Sequence, residues 1–496
     1  MYWESLIAPQ RSSSDDEALK RLEHHKPDAA VDAIFIHPHQ ADVDRILYSS
    51  AFRRLQGKAQ VFSFPETDYY RTRLTHTLEV SNIGRLLATS VFRAFEALDT
   101  PIVKSLFEDA KKLRTETKDL IDAVAAACLA HDIGNPPFGH IGEYAIRSWF
   151  QDRLKDKSRL YLSKLGESEE HKQRRNDFLF YDGNAQGFRI LTRLQGWGAK
   201  GGLELTYTTL GSFMKYPWGS DRSTDKNPKF GYFLAEARAF ERATDALKLL
   251  RERNGGDEIS LKTCRHPFAY LVEAADDIAY RGTDIEDGIK AGLIPFREGR
   301  ELLHKLGTFS QASMGRYREI KNDTQDQIKF LRSGTTLKLV RECAKTFVEN
   351  IDEIMAGEFH GSLLSRCNAS AFEAASKKML VDYVYYEPRK VRQESGAYEI
   401  VRYLLDVFSE VIESYIDKGN KFEKLNDRDR NLYYILSRDK GDVIEKVLLD
   451  EETPAQRSPE MTYHLYLIVV DFISGMSDSY ARQLYRSIGG HSMGGP

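Results

Sequence analysis

The sequence predicts a mostly α-helical protein, and three observations carry that reading. Apolar residues recur at helical spacing along most of the chain, alternating strand-like runs are few, and no internal repeat of roughly 20–50 residues is present. Val80, Ile83, Leu87 and Val91 fall at i, i+3, i+7 and i+11, and Ile121, Val124, Ala125, Cys128 and Leu129 continue the same rule. Similar stripes run through 234–252, 267–281, 336–356 and 397–417. VDYVYYE (381–387) is the best strand candidate, followed by LELTYTTL (203–210), so at most a few short strands are expected.

The 496 residues suffice for one large core or for two or three ordinary domains. With 41% hydrophobic and 29% charged residues, the composition excludes wholesale disorder. A formal net charge of −3 excludes a whole-molecule polyanion binder, so any phosphate site must be local. Four scattered cysteines (Cys128, Cys264, Cys343, Cys367) form neither a disulfide framework nor a zinc knuckle, and a reducing cytoplasm is the expected setting. The opening MYWESLIAPQRSSSDDE does not read as a signal peptide, and the apolar run Leu465 to Val470 is too short to cross a bilayer. The expected organisation is an N-terminal extension (1–45), a helical catalytic core (46–300), a C-terminal helical region (301–488) and a flexible tail (489–496). Segments 151–176 and 218–231, rich in charge or in turn formers, read as variable loops. Bases and acids interleave in 151–176, which makes it a solvated loop sooner than a nucleic-acid surface.

Chemistry concentrates in CLAHDIGNPPFGHIGE (128–143). Pro136 and Pro137 exclude the α conformation before them, so the helix containing Val124 must end near Gly134. His131 and Asp132 then stand at a helix end, from which two adjacent side chains can reach one point. Imidazole and carboxylate together suit Mn²⁺, Fe²⁺, Ni²⁺ or Zn²⁺, and Mg²⁺ favours oxygen. Taken alone, such a pair more often caps a helix and bonds a loop amide, and a lone His76 on an apolar stripe is ordinarily a satisfied core histidine. Asp276 and Asp277 add a second anomaly: paired aspartates inside an apolar helix are costly to desolvate unless a cation answers one of them. Together His76, His131, Asp132 and Asp276 supply two imidazoles and two carboxylates from three helices. Downstream, His140 and Glu143 lie three apart after Gly139 and share a helix face. Glu143 can therefore hold the His140 tautomer for acid–base work. Arg53, Arg54, Lys58, Arg71 and Arg73 gather positive charge just before His76, with Arg71 the candidate for substrate phosphate and a solvated helix face the plainer reading for some of the others.

The H…HD…D pattern resembles that of HD-domain metal-dependent phosphohydrolases. The ordered string FRRLQGKAQVF (52–62), RTRLTHTLEV (71–80), HDIGNPPFGHIGE (131–143), DGNAQGFRIL (182–191), FMKYPWG (213–219), EAADDIAY (273–280) and DFISGMSDSYA (471–481) is similar to the bacterial deoxyguanosine triphosphate triphosphohydrolase family. Asp182 stands where that family usually has Glu. The resemblance implies a divalent-metal hydrolase (Mg²⁺ or Mn²⁺ first, with Ni²⁺, Fe²⁺ or Zn²⁺ as alternatives). It would convert a deoxynucleoside triphosphate, dGTP foremost, to deoxynucleoside and triphosphate by attack at the α-phosphorus, and so control dNTP pools. It also implies that His140 and Glu143 are catalytic and that His76, His131, Asp132 and Asp276 hold the metal. Lys215 and Tyr216 would then contact phosphate and sugar, Tyr280 would pack under deoxyribose and exclude a 2′-OH, and Gln60 and Asn184 would contact sugar or base. The expected partners are the dNTP substrate, further copies in a homo-oligomer (a hexamer favoured) and a dNTP or single-stranded DNA effector, with no membrane. Arg392 and Glu394 are candidates to reach a neighbouring subunit's site, and Asp478 to cap the helix after Gly475. Two alternatives stay open: an HD nucleotidase or phosphodiesterase of other substrate, and a non-enzymatic nucleotide or single-stranded DNA sensor.

Overall fold

The computed structural model describes residues 1–11, 36–60, 71–155, 171–196, 202–253, 260–306, 309, 311–320, 323–419, 421–437 and 459–490. It is mostly helical, as the apolar stripes require. After a short N-terminal helix (Trp3–Leu6) and helix α1 (Pro38–Leu47), the long helix α2 (Arg73–Glu96) starts at Thr72, which exchanges reciprocal caps with Thr75. Val80, Leu87 and Val91, the stripe seen in the sequence, are buried on it. Helix α3 (Thr117–Ala130) is alanine-rich and almost wholly buried, which lets α1, α2 and the helix Tyr207–Phe213 approach it closely. Helix α4 (His140–Lys155) follows the Gly/Pro turn, and α5 (Gly183–Arg189) is capped by Asp182, which accepts the Asn184 N–H at 2.8 Å. Helix α6 (Pro267–Lys290) opens with Pro after the His266 cap and packs on α2 and α7 (Thr324–Glu349).

One apolar core joins these helices, α4 excepted, to the N-terminal residues Trp3, Leu6 and Ile7. A second core gathers α4 with α8 (Pro388–Asp417), α9 (Pro459–Ser474) and α10 (Asp478–Ile488), centred on Trp149, Phe150, Phe408 and Phe472. The turn between α3 and α4 lies between the two.

The strand candidates need correction. Val381–Tyr385 is a π-helical turn between the helix Ser370–Leu380 and α8. Its aromatic and β-branched residues suit a strand, but Tyr383 and Tyr385 are held by hydroxyl bonds to Glu298 and Tyr280, so tertiary contacts override propensity. In 203–210 only Thr206 makes a strand-like bridge, to Arg11, and its hydroxyl then caps Tyr207–Phe213. The two strands among the described residues, β1 (Leu250–Arg253) and β2 (Ser260–Thr263), pair antiparallel, and the first truncates the expected helical stripe 234–252, which is helical only over Ala237–Ala246 after a short turn. Ser477, not Asp478, caps α10. Segment 151–176 is helical at both described ends, with 156–170 outside the described residues. Segment 218–231 is a described loop, and of the expected tail only Gly489 and Gly490 are described. No helix among the described residues is long and apolar enough to cross a membrane.

Asp177 fastens the second core to the 220–235 connection. Its carboxyl meets the Ser220 hydroxyl at 2.6 Å, the Tyr463 hydroxyl at 2.5 Å and the Leu234 N–H at 2.8 Å. Ser220 also faces the Gln173 carbonyl at 3.2 Å. Burial pushes the Asp177 carboxyl up to about 7 from 3.8, against the bonds from Ser220, Tyr463 and Leu234. A raised carboxyl binds its proton in the folded state where the unfolded chain has released it, so this contribution to stability falls as pH rises from about 4 to about 7. Asp177→Asn should therefore gain melting temperature relative to wild type between pH 5 and pH 8. A difference that stays constant across that range contradicts the assignment.

Candidate active site

Helix α3 ends at Ala130 with His131 as its C-cap, and Asp132 follows on the first turn beyond it. His131 Nδ1 lies 2.8 Å from the Cys128 carbonyl, which only accepts, so the hydrogen is on Nδ1 and the lone pair on Nε2. That Nε2 is buried without a hydrogen-bond partner, 3.6 Å from Asp132 Oδ1 and 3.5 Å from Asp276 Oδ1. A buried lone pair facing two carboxylates is unfavourable until a cation sits among them, and a carbonyl-anchored imidazole is the usual way a histidine ligand is oriented. His76, from α2, brings Nε2 to 3.1 Å from Asp276 Oδ1 on α6. Ligand atoms of His76, His131 and Asp132 all fall within 4.8 Å of one another. These residues fit a divalent metal.

The electrostatics agree. Burial opposes the ionised form of Asp276, yet positive charge at the His131 and His76 rings outweighs it and holds the carboxyl well below its ordinary range, so the place beside Asp276 favours a cation. Burial likewise opposes Asp132, and the Arg73 guanidinium at 2.7 Å overcomes it. Asn135 donates to the other Asp132 oxygen. Asp277 lines the same cavity and is pushed up to about 7 by burial and by Asp276.

Between Asp132 and His140 the chain reverses in a turn that glycine makes possible. A Cβ on Gly134 would lie 2.1 Å from the Gly183 carbonyl oxygen and Gly187 N, so α5 packs directly on its backbone. Phe138 and Gly139 both take positive φ, 64° and 59°. For Phe138 that conformation costs about 1–2 kcal/mol. Helix α4 then starts at His140, whose side chain is 86% exposed, while Glu143 is buried beneath it. His140 Nδ1 donates to Glu143 Oε2 at 3.1 Å, leaving its Nε2 lone pair free to face a substrate. Glu143 Oε1 accepts the Gly183 N–H at 2.8 Å. Burial disfavours the charged Glu143, but the bond from His140 and the Lys229 ammonium bring its carboxyl down to about 2, so it is an acceptor at neutral pH.

These groups line one cavity of about 860 Å³, large enough for a nucleotide-sized ligand. The structure brings His131, Asp132, Asp276, His140, Glu143, Gln60, Asn184, Lys215, Tyr216, Tyr280 and Glu394 to its walls, with His76 buried behind the Asp276 carboxylate. Lys215 pairs with Glu273 at 3.3 Å, Asn184 donates to Asp182 at 2.7 Å, and the Tyr280 and Tyr385 hydroxyls are bonded. Gln60 Oε1 is buried without a partner.

Arg71 and Arg392 do not line the cavity. Glu79, Glu286 and Asp287 take up the Arg71 guanidinium, which runs from just before α2 toward the end of α6. Arg392 is exposed, whereas Glu394, two residues on, faces the cavity of its own chain, paired with Lys390. Arg53 and Arg54 are exposed, and Lys58 is buried on backbone carbonyls. Arg73, named with the basic stretch before His76, reaches Asp132 at the cavity wall. Sequence reasoning missed basic residues that enter the cavity from afar. Lys229, 2.9 Å from Asp182, enters from the loop read as variable, and Arg482 enters from the C-terminal motif. Neither carried a local signal.

Residues 73–175 match the HD domain family model. A deoxyguanosinetriphosphate triphosphohydrolase-like protein of Pseudomonas aeruginosa (strain UCBPP-PA14) is 34% identical, covering 99% of both chains. One from Listeria monocytogenes is 32% identical over 91% of this chain and 93% of its own. The deoxyguanosinetriphosphate triphosphohydrolase of Salmonella arizonae is 30% identical over 90% and 93%.

Metal binding should show without turnover. Mn²⁺ at about a hundred times its dissociation constant stabilises a native state by about 2.7 kcal/mol. Wild type should gain several degrees of melting temperature with Mn²⁺, and His131→Ala should gain none. An equal gain in both places the ion elsewhere.

Proposed function

The chain belongs to the deoxyguanosinetriphosphate triphosphohydrolase family of HD-domain proteins, and from that premise we propose that it hydrolyses deoxynucleoside triphosphates, dGTP foremost, to deoxynucleoside and unbroken triphosphate. The observation that carries this reading is the His140–Glu143 pair, set in one cavity with the His131, Asp132 and Asp276 cluster and with Lys215 and Lys229. The ion proposed for the cluster is Mg²⁺ or Mn²⁺, with Ni²⁺, Fe²⁺ or Zn²⁺ as alternatives. When bound there, it supplies Lewis acidity toward a phosphoryl oxygen and toward water.

The protein's own groups do the rest. His140 exchanges a proton through Nε2, and Glu143, ionised and fixed by the Gly183 N–H, stabilises the imidazolium and keeps the ring in one tautomer. Lys215 and Lys229 bring charge to the phosphates. Their counter-ions Glu273 and Asp182 hold them in place before substrate arrives. Tyr280 packs against the sugar, and its bond to Tyr385 keeps the ring from moving aside for a 2′-OH. A pure nucleotide sensor has no need of an oriented acid–base pair, which favours the hydrolase. The proposed setting is the cytoplasm, where the activity would control dNTP pools. A symmetric homo-oligomer, with a hexamer favoured, and control by dNTP or single-stranded DNA belong to the same reading.

Incubation with each dNTP and Mn²⁺, with products resolved as nucleoside, mono-, di- and triphosphate, tests the reaction. Deoxynucleoside plus triphosphate is expected, with dGTP fastest. Glu143→Gln should lower kcat by about 10²–10⁴. Mono- or diphosphate products would assign another HD hydrolase class. In the same assay Tyr280→Ala should narrow the preference for dGTP over GTP by about tenfold or more, and an unchanged ratio removes Tyr280 from sugar selection.

A further inference from the structure

The C-terminal motif DFISGMSDSYARQLYRSI (471–488) has no part in the chemistry above, yet its polar groups converge on the turn that presents His140. Asp478, in the first turn of α10 and 5% exposed, uses both carboxylate oxygens on backbone amides. Oδ1 accepts the Phe138 N–H at 2.8 Å, and Oδ2 accepts the Ala59 N–H at 2.9 Å. Phe138 is the residue at positive φ, two before His140, and Ala59 precedes Gln60 on the cavity wall. One turn along α10, Arg482 lies over the Phe138 ring at 5.5 Å and lines the cavity. The other end of the turn is held by the same motif: Lys58 Nζ donates to the Asn135 carbonyl at 2.5 Å and to the Ser474 carbonyl at 2.9 Å. Asp471 anchors the start of the motif to Arg189 (2.8 Å) and Gln186 (2.9 Å) on α5.

We propose that Asp478 is a positioning residue for the reaction, clamping the Phe138–His140 turn against the Ala59–Gln60 wall so that the His140 imidazole is delivered at a fixed place. An amide in its position cannot reproduce the contacts. Asparagine offers one acceptor oxygen and turns an N–H₂ toward the second backbone N–H, leaving that donor unpaired. The strained Phe138 conformation then loses one of its restraints. Phe138 and Ala59 lie 79 residues apart in sequence and over 300 from Asp478, so the clamp is a tertiary device, invisible in any one motif.

The kinetic arm of the test rests on the proposed reaction, and the exchange arm does not. Asp478→Asn should lower kcat by about tenfold or more with KM within about twofold. The same substitution in a His140→Ala background should add no further loss, because the residue acts through His140. Amide hydrogen exchange in a peptide spanning 135–140 should accelerate in Asp478→Asn while peptides from α2 and α6 stay unchanged. An unchanged kcat, or an equal loss in both backgrounds, overturns the proposal. Should Asp478→Asn not fold, Arg482→Ala, which frees the Phe138 ring and also removes a cavity-wall cation, takes the exchange measurement, with faster exchange at 135–140 expected and unaltered exchange overturning the proposal. If the wild type forms no deoxynucleoside and triphosphate, the reaction reading fails by itself. The clamp is then judged by exchange alone, with faster exchange at 135–140 supporting it and unaltered exchange overturning it.

Discussion

Everything in the site depends on one constraint: within ten residues the chain must end a helix at His131, reverse, and start another at His140, with both ends facing the same cavity. A helix end is the only place where two adjacent side chains can point at one ion, and a helix start is where His140 and Glu143 share a face. The reversal between them must be tight, and that tightness sets the rest of the architecture. It places Gly134 on the backbone of α5, puts Phe138 at positive φ, and needs Lys58 and Asp478 to hold its two ends. The second core, built by α4, α8, α9 and α10, thereby does more than enlarge the protein: it carries Asp478 and the Ser474 carbonyl that braces Lys58.

Charge is managed by the same economy of partners. Four carboxylates near the cavity have their own cation or amide before any ligand arrives. Asp132 has Arg73 and Asn135, Glu143 has His140 and Gly183, Asp182 has Lys229, and Glu273 has Lys215. Pairing of this kind offsets the cost of desolvation and fixes side chains whose positions matter to the proposed reaction. His131 Nε2 is the conspicuous exception, a buried acceptor among acceptors, which marks where a cation belongs.

The His/Asp cluster, the His140–Glu143 pair and the helical class were legible because each is local or periodic. HDIGNPPFGHIGE holds four of the six groups in thirteen residues, and the apolar stripes of α2, α3 and α6 are long. What was not legible is what the fold brings from afar. Arg71 lies in the basic stretch but is captured by carboxylates at the end of α6, while Arg73, two residues on, reaches Asp132. Lys229 sits in a turn-rich loop with no periodicity to show its direction. The segment 381–387 has strand-like residues but is flanked by helices, and its π-turn brings Tyr385 against Tyr280. Neighbour-dependent structure of this kind leaves no trace in a short window of sequence.

The central claim is that the metal cluster and the His140–Glu143 pair act together on the α-phosphorus of a bound deoxynucleoside triphosphate. Hydrolysis of dGTP in ¹⁸O-labelled water, followed by mass spectrometry of both products, tests it most directly. The account predicts that the label enters the triphosphate and that the deoxynucleoside 5′-oxygen is unlabelled. Label in the deoxynucleoside, from attack at carbon, would contradict it.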